Sequence, residues 1–202
     1  FAIALKEAQD CGYAEFDPSD DIDGMDTAYK VVLSSCKGFG VLANIHDIDI
    51  YGIRHISAKD IAYACKHGYA CKLIGSGVKS DSGVSGTVIP TFIPKQNIFA
   101  TIPTNFNAIE SDSKTLGKMT YVGQGAGSYP TAHAVIQDLI DLVLHQDTEV
   151  SSGVGVHVDN KNRLSSFYVR SVNLNRIEEV IEERIDEDTC ITKEISFVEL
   201  DS

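Results

Sequence analysis

The chain has 202 residues, of which 43% are hydrophobic, and a formal net charge of −12 at pH 7. A chain of this length buries about 70% of its unfolded surface, which is enough for one large domain or for a domain with a small appendage. The acidic balance argues against nucleic acid as a partner, because few cations are available to replace phosphate counterions. No apolar run approaches the roughly 20 residues of a membrane helix, and no leader peptide is visible. We therefore expect a cytoplasmic protein that does not span a membrane.

The five cysteines and six histidines do not form a recognisable site. The cysteines are odd in number and scattered, without a CxxC pair, so they predict reduced thiols rather than disulfides. The histidines lack the spacing of metal ligands or of a catalytic triad. We predict no metal site.

The first half of the chain alternates helical and strand-like segments. Residues 1–11 have apolar side chains at helical spacing, and Gly12 is suited to end that helix. A loop rich in acidic residues follows, and a second helix is predicted over 25–36. The next predicted elements are a strand at 48–53 and a helix that begins at Ser57 and ends near 67.

The second half begins with strands predicted at 69–78 and 86–92 and short apolar runs at 106–109 and 119–122. A long helix is predicted from near Pro130 to about 145. After a Ser/Gly/Val-rich stretch at 151–158, a strand at 166–172, a helix at 174–185 and a strand at 190–200 suggest a βαβ unit.

These elements predict an α+β fold with a mixed, mostly antiparallel sheet that is covered by helices. The composition shift near Ser151 predicts a domain at 1–150 and a C-terminal extension at 151–202, which contains the small βαβ lobe. The chain also opens in the middle of a helical pattern, without Met or an N-cap residue, as a truncated or processed polypeptide would.

A run near the start of the chain is densely acidic. Seven carboxylates surround a single lysine, Lys30; they are Asp10, Glu15, Asp17, Asp20, Asp21, Asp23 and Asp26. Such a cluster is favourable only if a cation, a substrate ammonium group or backbone N–H groups offset the repulsion. The aspartates could also be turn formers and helix caps. The spacing does not fit an EF-hand, although Ca²⁺ at another kind of site stays open.

Asp26 and Lys30 are four residues apart and therefore share one face of the predicted helix. In the simplest interpretation they form a surface ion pair that contributes about 0.3–0.5 kcal/mol. The acidic run just before them favours a chemical role instead.

The sequence Gly123-x-Gly125-x-Gly127 lies between a predicted strand and a predicted helix. Ser128 stands where the third glycine of a dinucleotide fingerprint would be, and no acidic residue follows at the end of a second strand. The pattern therefore predicts either a plain turn or a glycine turn that brings backbone close to a ligand.

Several of these motifs together resemble the homoserine dehydrogenases. The acidic run carries the long motif Gly12-Tyr13-Ala14-Glu15-x-Asp17-Pro18, followed by Asp20, Asp21, Gly24, Asp26, Ala28 and Lys30. Four shorter motifs follow in the order that the family shows, namely Asp60-Ile61, Lys72-Leu73-Ile74-Gly75, Asn107-Ala108-Ile109 and Gly123-x-Gly125-Ala126-Gly127. The resemblance covers about residues 1–145.

The resemblance implies an enzyme that interconverts L-homoserine and L-aspartate 4-semialdehyde with NADP or NAD, in the synthesis of threonine and methionine. It implies Lys30 as proton donor and acceptor, with Asp26 orienting it. Gly12, Glu15 and Asp20 or Asp21 would hold the substrate. Gly127 and Gly125 would touch the nicotinamide, and the domain would form a homodimer.

The sequence departs from the family at both ends. The family's N-terminal nucleotide-binding domain, which would bind most of the cofactor, is absent from this sequence, so the resemblance implies that the chain alone is inactive. The C-terminal lobe is either an abbreviated relative of the family's ACT regulatory domain or a plain extension. The alternative function is a non-catalytic amino-acid-binding or regulatory module, in which the acidic loop captures an ammonium group.

Overall fold

A computed structural model describes residues 1–81, 83–144 and 154–201. Helices and strands alternate along these ranges, as the sequence predicts for an α+β fold. The helices are α1 (Ala2–Asp10), α2 (Ser19–Asp23), α3 (Met25–Phe39), α4 (Ala58–Lys66), α5 (Ile98–Thr101), α6 (Ser128–Leu144) and α7 (Phe197–Asp201). The strands are β1 (Val41–Ala43), β2 (Asp49–Ile50), β3 (Tyr69–Ser80), β4 (Gly83–Pro94), β5 (Phe106–Ser113), β6 (Gly117–Gln124), β7 (Val154–Val156), β8 (Leu164–Ser165), β9 (Tyr168–Arg170), β10 (Ile181–Arg184), β11 (Thr189–Thr192) and β12 (Ile195–Ser196).

The described residues form two compact units. The first contains the described residues in 1–26, 51–74 and 89–144, and the second contains those in 27–50, 75–81, 83–88 and 154–201. The predicted domain boundary at Ser151 falls within 145–153, outside the described residues, so the division at 150 stays a prediction.

In the first unit, α4 is fixed at its start by a capping box. The Ser57 hydroxyl caps the backbone N–H of Asp60, and the Asp60 carboxylate accepts a hydrogen bond from the Ser57 N–H at 2.7 Å. The helix buries Ala64 completely, and Tyr63 lies against Phe92 of β4 with ring centroids 6.3 Å apart. This confirms the helix that the sequence predicts from Ser57.

The β5–β6 hairpin and α6 complete the first unit. The two strands pair antiparallel over eight residues each, from Phe106 opposite Gln124 to Ser113 opposite Gly117. The side chains of both strands are largely exposed. The helix α6 begins two residues before Pro130, close to its predicted start, and its side chains are also largely exposed.

In the second unit, α3 packs closely on β3 because two glycines allow it. An added Cβ at Gly75 would lie 2.6 Å from Val31 Cγ2 and 2.7 Å from Thr27 Cγ2, and one at Gly77 would lie 2.6 Å from Ser35 Oγ. Side chains at these strand positions would therefore push the helix away. This contact fixes the helix that carries Lys30.

The second unit combines parallel and antiparallel pairs. The strand β2 pairs parallel with β4, with Asp49 opposite Thr87, and β1 pairs parallel with β7. The buried amide of Asn160 accepts a hydrogen bond from Gly86 N at 2.8 Å and donates one to Gly86 O at 2.9 Å. The residues after β7 are thereby held against β4.

The C-terminal lobe differs from the predicted βαβ unit. The strands β9 and β10 both pair antiparallel with β11, which lies between them. In place of a helix over 174–185, the chain forms 3₁₀ turns at Leu174–Val180 and then β10. The helix predicted from the periodicity is therefore wrong. Ile177 has a non-helical backbone, and no side-chain hydrogen bond caps the start of the segment. Ile181 instead pairs with Thr192 in the sheet.

Among the described residues, we find no helix with the length and apolar character needed to cross a membrane.

Candidate active site

The acidic run is divided by a short helix that the sequence did not predict. The Asp17 carboxylate accepts hydrogen bonds from the Ser19 hydroxyl at 2.6 Å and from the Ser19 N–H at 3.1 Å. These bonds hold the pKa of Asp17 below its ordinary value. The helix α2 then ends at Gly24, whose φ of +86° is a left-handed conformation that glycine adopts without a steric cost. Asp17 therefore forms a turn immediately before α2 and has a structural role.

Asp23 is paired with an arginine from a distant part of the chain. Arg54 Nε donates to Asp23 Oδ1 and Arg54 Nη2 to Asp23 Oδ2, both at 2.7 Å. This two-pronged contact lowers the pKa of Asp23 and raises that of Arg54. Lys30 is thus not the only cation beside the acidic run. Sequence reasoning missed Arg54 because 31 residues separate the partners.

Two of the predicted substrate ligands, Asp20 and Asp21, lie on α2 with exposed side chains. Helix α2 leads through Gly24 directly into α3, where Asp26 lies in the first turn and Lys30 one turn later. Asp26 is partly buried and Lys30 is exposed. The helix itself holds these two side chains on one face.

The loop after α1 carries Gly12 and Glu15. Gly12 has a φ of +70° and ends α1, as predicted. The Gln9 side chain donates from Nε2 to the carbonyl oxygens of Glu15 at 2.9 Å and Phe16 at 3.2 Å. The backbone around Glu15 is therefore fixed, and its carboxylate is exposed. No pattern in the sequence identifies Gln9 as the residue that fixes this loop.

The glycine turn after β6 is built by two asparagines. The Gly125 N–H donates to the Asn105 carbonyl at 2.8 Å, and Asn105 Nδ2 donates to the Ala126 carbonyl at 2.9 Å. An added Cβ at Gly125 would lie 2.1 Å from Asn107 Nδ2. The turn therefore requires glycine at 125 for packing, and Asn107, part of a motif noted in the sequence, occupies the space.

Gly127 brings the turn next to the loop after α1. It has a φ of +124°, and an added Cβ would lie 3.9 Å from Tyr13 Cε1. The structure thus places Tyr13, which follows Gly12, beside Gly127, although more than a hundred residues separate them in sequence. The two predicted binding segments of the first unit are neighbours.

The glycine turn also allows a flat ligand, such as a nicotinamide ring, to come close to its backbone. Gly127 presents no side chain and lies immediately before α6, whose first N–H groups point back toward the turn. The space beside Gly125, in contrast, is filled by Asn107. Gly127 therefore fits the cofactor contact that the resemblance implies, and Gly125 is required by its packing against Asn107.

Comparisons with known proteins agree on one family. A family model described as homoserine dehydrogenase matches residues 1–140. The homoserine dehydrogenase of Neisseria gonorrhoeae is 40% identical over 142 residues, which are 70% of this chain and 33% of that protein. The homoserine dehydrogenase of Bacillus subtilis is 37% identical over 136 residues, 67% of this chain and 31% of that protein.

Solved structures extend the similarity to the C-terminal lobe. A homoserine dehydrogenase from Thiobacillus denitrificans has a TM-score of 0.74 and 28% identity, and the match covers 96% of this chain and 51% of that one. One from S. aureus at pH 8.5 has a TM-score of 0.71 and 28% identity, covering 96% and 52%. The matched residues span about a third of the curated relatives' length.

Proposed function

Because this chain belongs to the homoserine dehydrogenase family, we propose that it supplies the substrate-binding and catalytic part of an oxidoreductase that interconverts L-homoserine and L-aspartate 4-semialdehyde. The observation that carries the proposal is the placement of Asp26 and Lys30 one turn apart on α3, directly after the acidic helix α2. The reaction belongs to the synthesis of threonine and methionine.

Lys30 is the proposed proton donor and acceptor. In the reductive direction its ammonium group donates a proton to the aldehyde oxygen as the carbonyl carbon receives a hydride, so the alkoxide charge does not build up. In the oxidative direction the neutral amine takes the hydroxyl proton. Asp26, in the preceding turn, orients the lysine head and the substrate hydroxyl.

The acidic helix supplies the proposed site for the substrate's ammonium group. Asp20 and Asp21 are both on α2 and both exposed, and a carboxylate pair attracts a cationic group. The fixed backbone around Gly12 and Glu15 provides further polar contacts for the rest of the amino acid.

NAD or NADP supplies the hydride acceptor and donor when bound. Gly125 and Gly127 would contact its nicotinamide end, and most of the cofactor site would come from a nucleotide-binding domain. One relative, from Pseudomonas canavaninivorans, is named an NAD(+)-dependent homoserine dehydrogenase.

We further propose a homodimer in the cytoplasm, with the β5–β6 hairpin in the interface. An isolated two-stranded hairpin is marginally stable in water. This one exposes Ile109 and Tyr121, each 59% accessible, together with Met119. Ile109 and Tyr121 are directly opposite each other and therefore share one face of the hairpin. A second copy of the chain would cover that face.

The test is an assay of reduced-nicotinamide absorbance with L-homoserine and NAD or NADP. This chain and the complete product of its gene are compared. Activity in the complete product, lost when Lys30 is replaced, supports the proposal. Binding of L-homoserine without turnover in either protein favours the alternative, a non-catalytic amino-acid-binding or regulatory module.

A further inference from the structure

The acidic helix α2 is too short to hold its own orientation. It has five residues, and helices of this length are unstable without outside contacts. Its start is fixed by Asp17 through the two hydrogen bonds with Ser19. The contacts at the C-terminal end of α2 therefore determine the direction of its other carboxylates, those of Asp20 and Asp21.

The end of α2 is fixed by the segment from Gly52 to Arg54. The Ile53 N–H donates to the Ile22 carbonyl at 2.8 Å. The backbone of Gly52 lies so close that an added Cβ would be 2.2 Å from the Ile22 oxygen and 2.5 Å from Asp23 Cα. Arg54 adds the two-pronged bond to the Asp23 carboxylate. Three successive residues thus contact one end of the helix.

We propose that Arg54 is a positioning residue for substrate binding: by holding Asp23 at the end of α2, it orients Asp20 and Asp21 toward the ammonium group of an amino-acid substrate. This inference rests on the function proposed above, which assigns that role to Asp20 and Asp21. The planar guanidinium suits this task because its two parallel N–H bonds fix direction as well as distance.

The opposing explanation is that Arg54 only screens the acidic run or forms an ordinary surface ion pair. Its side chain and that of Asp23 are 51% and 44% exposed, and exposed pairs contribute little to stability. When the arginine is removed, electrostatic screening and positioning predict opposite changes in substrate binding. Removing the arginine charge makes the region more negative, which by electrostatics alone would strengthen binding of an ammonium group. Loss of orientation would weaken it.

The test uses the complete product of the gene, with L-homoserine as the varied substrate. For Arg54→Gln we expect KM to rise about tenfold while kcat stays within about twofold, since the contact affects placement rather than proton transfer. Arg54→Lys, which keeps the charge without the fork, should give an intermediate KM. The double variant Asp23→Asn/Arg54→Gln keeps the net charge and should raise KM as the single variant does.

A matched control is Arg184→Gln, which removes another exposed arginine that pairs with a carboxylate, that of Glu178. Its KM should equal that of the wild type. An unchanged or lower KM in Arg54→Gln, or a wild-type KM in the double variant, overturns the positioning role while leaving the proposed function intact. A wild-type protein that does not oxidise L-homoserine overturns the proposed function, and the positioning role with it.

Discussion

Replacement of Gly52 by alanine should loosen the acidic helix and weaken binding of the substrate. The added methyl group would lie 2.2 Å from the Ile22 oxygen, 2.5 Å from Asp23 Cα and 2.6 Å from the Asp23 carbonyl carbon. All three atoms belong to backbone, so no side-chain rotation can relieve the overlap. Overpacking of this kind costs about 1–3 kcal/mol. We expect a cost in the upper half of that range, because the backbone must move about 1 Å to restore an ordinary van der Waals distance.

For a chain of this size, each kcal/mol lowers the melting temperature by roughly 2–4 °C. Gly52→Ala should therefore melt about 4–12 °C below the wild type in circular dichroism, with weaker binding of L-homoserine in calorimetry. Gly38→Ala is the matched control, since nothing lies within 4 Å of the added methyl group at this position in α3. It should stabilise the protein by about 0.5–1 kcal/mol. A Gly52→Ala protein with unchanged melting and binding would refute the close contact at the end of α2.

Three further predictions concern single contacts. Ser57→Ala removes the cap of α4 and should lower the free energy of unfolding by about 1 kcal/mol, measured by urea titration; no loss would contradict the capping box. Asn160→Ala leaves the Gly86 N–H and carbonyl without their side-chain partner and should cost about 2–4 kcal/mol in the same titration, a cost under 1 kcal/mol counting against the described bonds. The hydrogen bonds from Arg54 hold the pKa of Asp23 below its ordinary value. The stabilisation from this pair is therefore present above the ordinary pKa of an aspartate and lost as the pH falls through the lower, folded-state pKa. Arg54→Gln should flatten the acid limb of a stability curve. An unaltered acid limb would contradict the pairing.

Much of the fold was predictable because local signals agreed with the tertiary structure. The helix from Ser57 has its cap and its first-turn acid in sequence. The strands predicted at 69–78 and 86–92 are confirmed and are longer in the structure, at Tyr69–Ser80 and Gly83–Pro94. The α+β class follows from such segments. The strand predicted at 48–53 is reduced to Asp49–Ile50, because pairing with β4 involves only those two residues.

The errors arise where tertiary pairing overrides a local pattern. Residues 174–185 have helical periodicity, yet Ile181 and Arg184 pair with β11 as a strand. The sequence predicts a loop where α2 lies, because three of its five residues are aspartates and one is a serine, and these residue types also suit a turn. Its stability comes from contacts with Gly52 and Arg54, which no local window contains.

The candidate site could be located but not assembled from sequence. The pattern placed Asp26 and Lys30 on one helix face, because four-residue spacing fixes that geometry. It could not show that Tyr13 lies beside Gly127 or that Asn105 and Asn107 shape the glycine turn. The roles of Lys30 and of the substrate ligands stay predictions that mutation must test.

The central claim is that Lys30 moves the proton, and the most direct test is the Lys30→Ala variant of the complete gene product. We expect kcat for oxidation of L-homoserine to fall about 10²–10⁴-fold, as for loss of a general acid or base. The dissociation constant for L-homoserine, measured by calorimetry, should change less than about threefold, because binding depends on other groups. Lys37→Ala, an exposed lysine two turns later on α3, is the control and should match the wild type. Equal losses in turnover and binding, or a kcat within about tenfold of the wild type, would contradict the account.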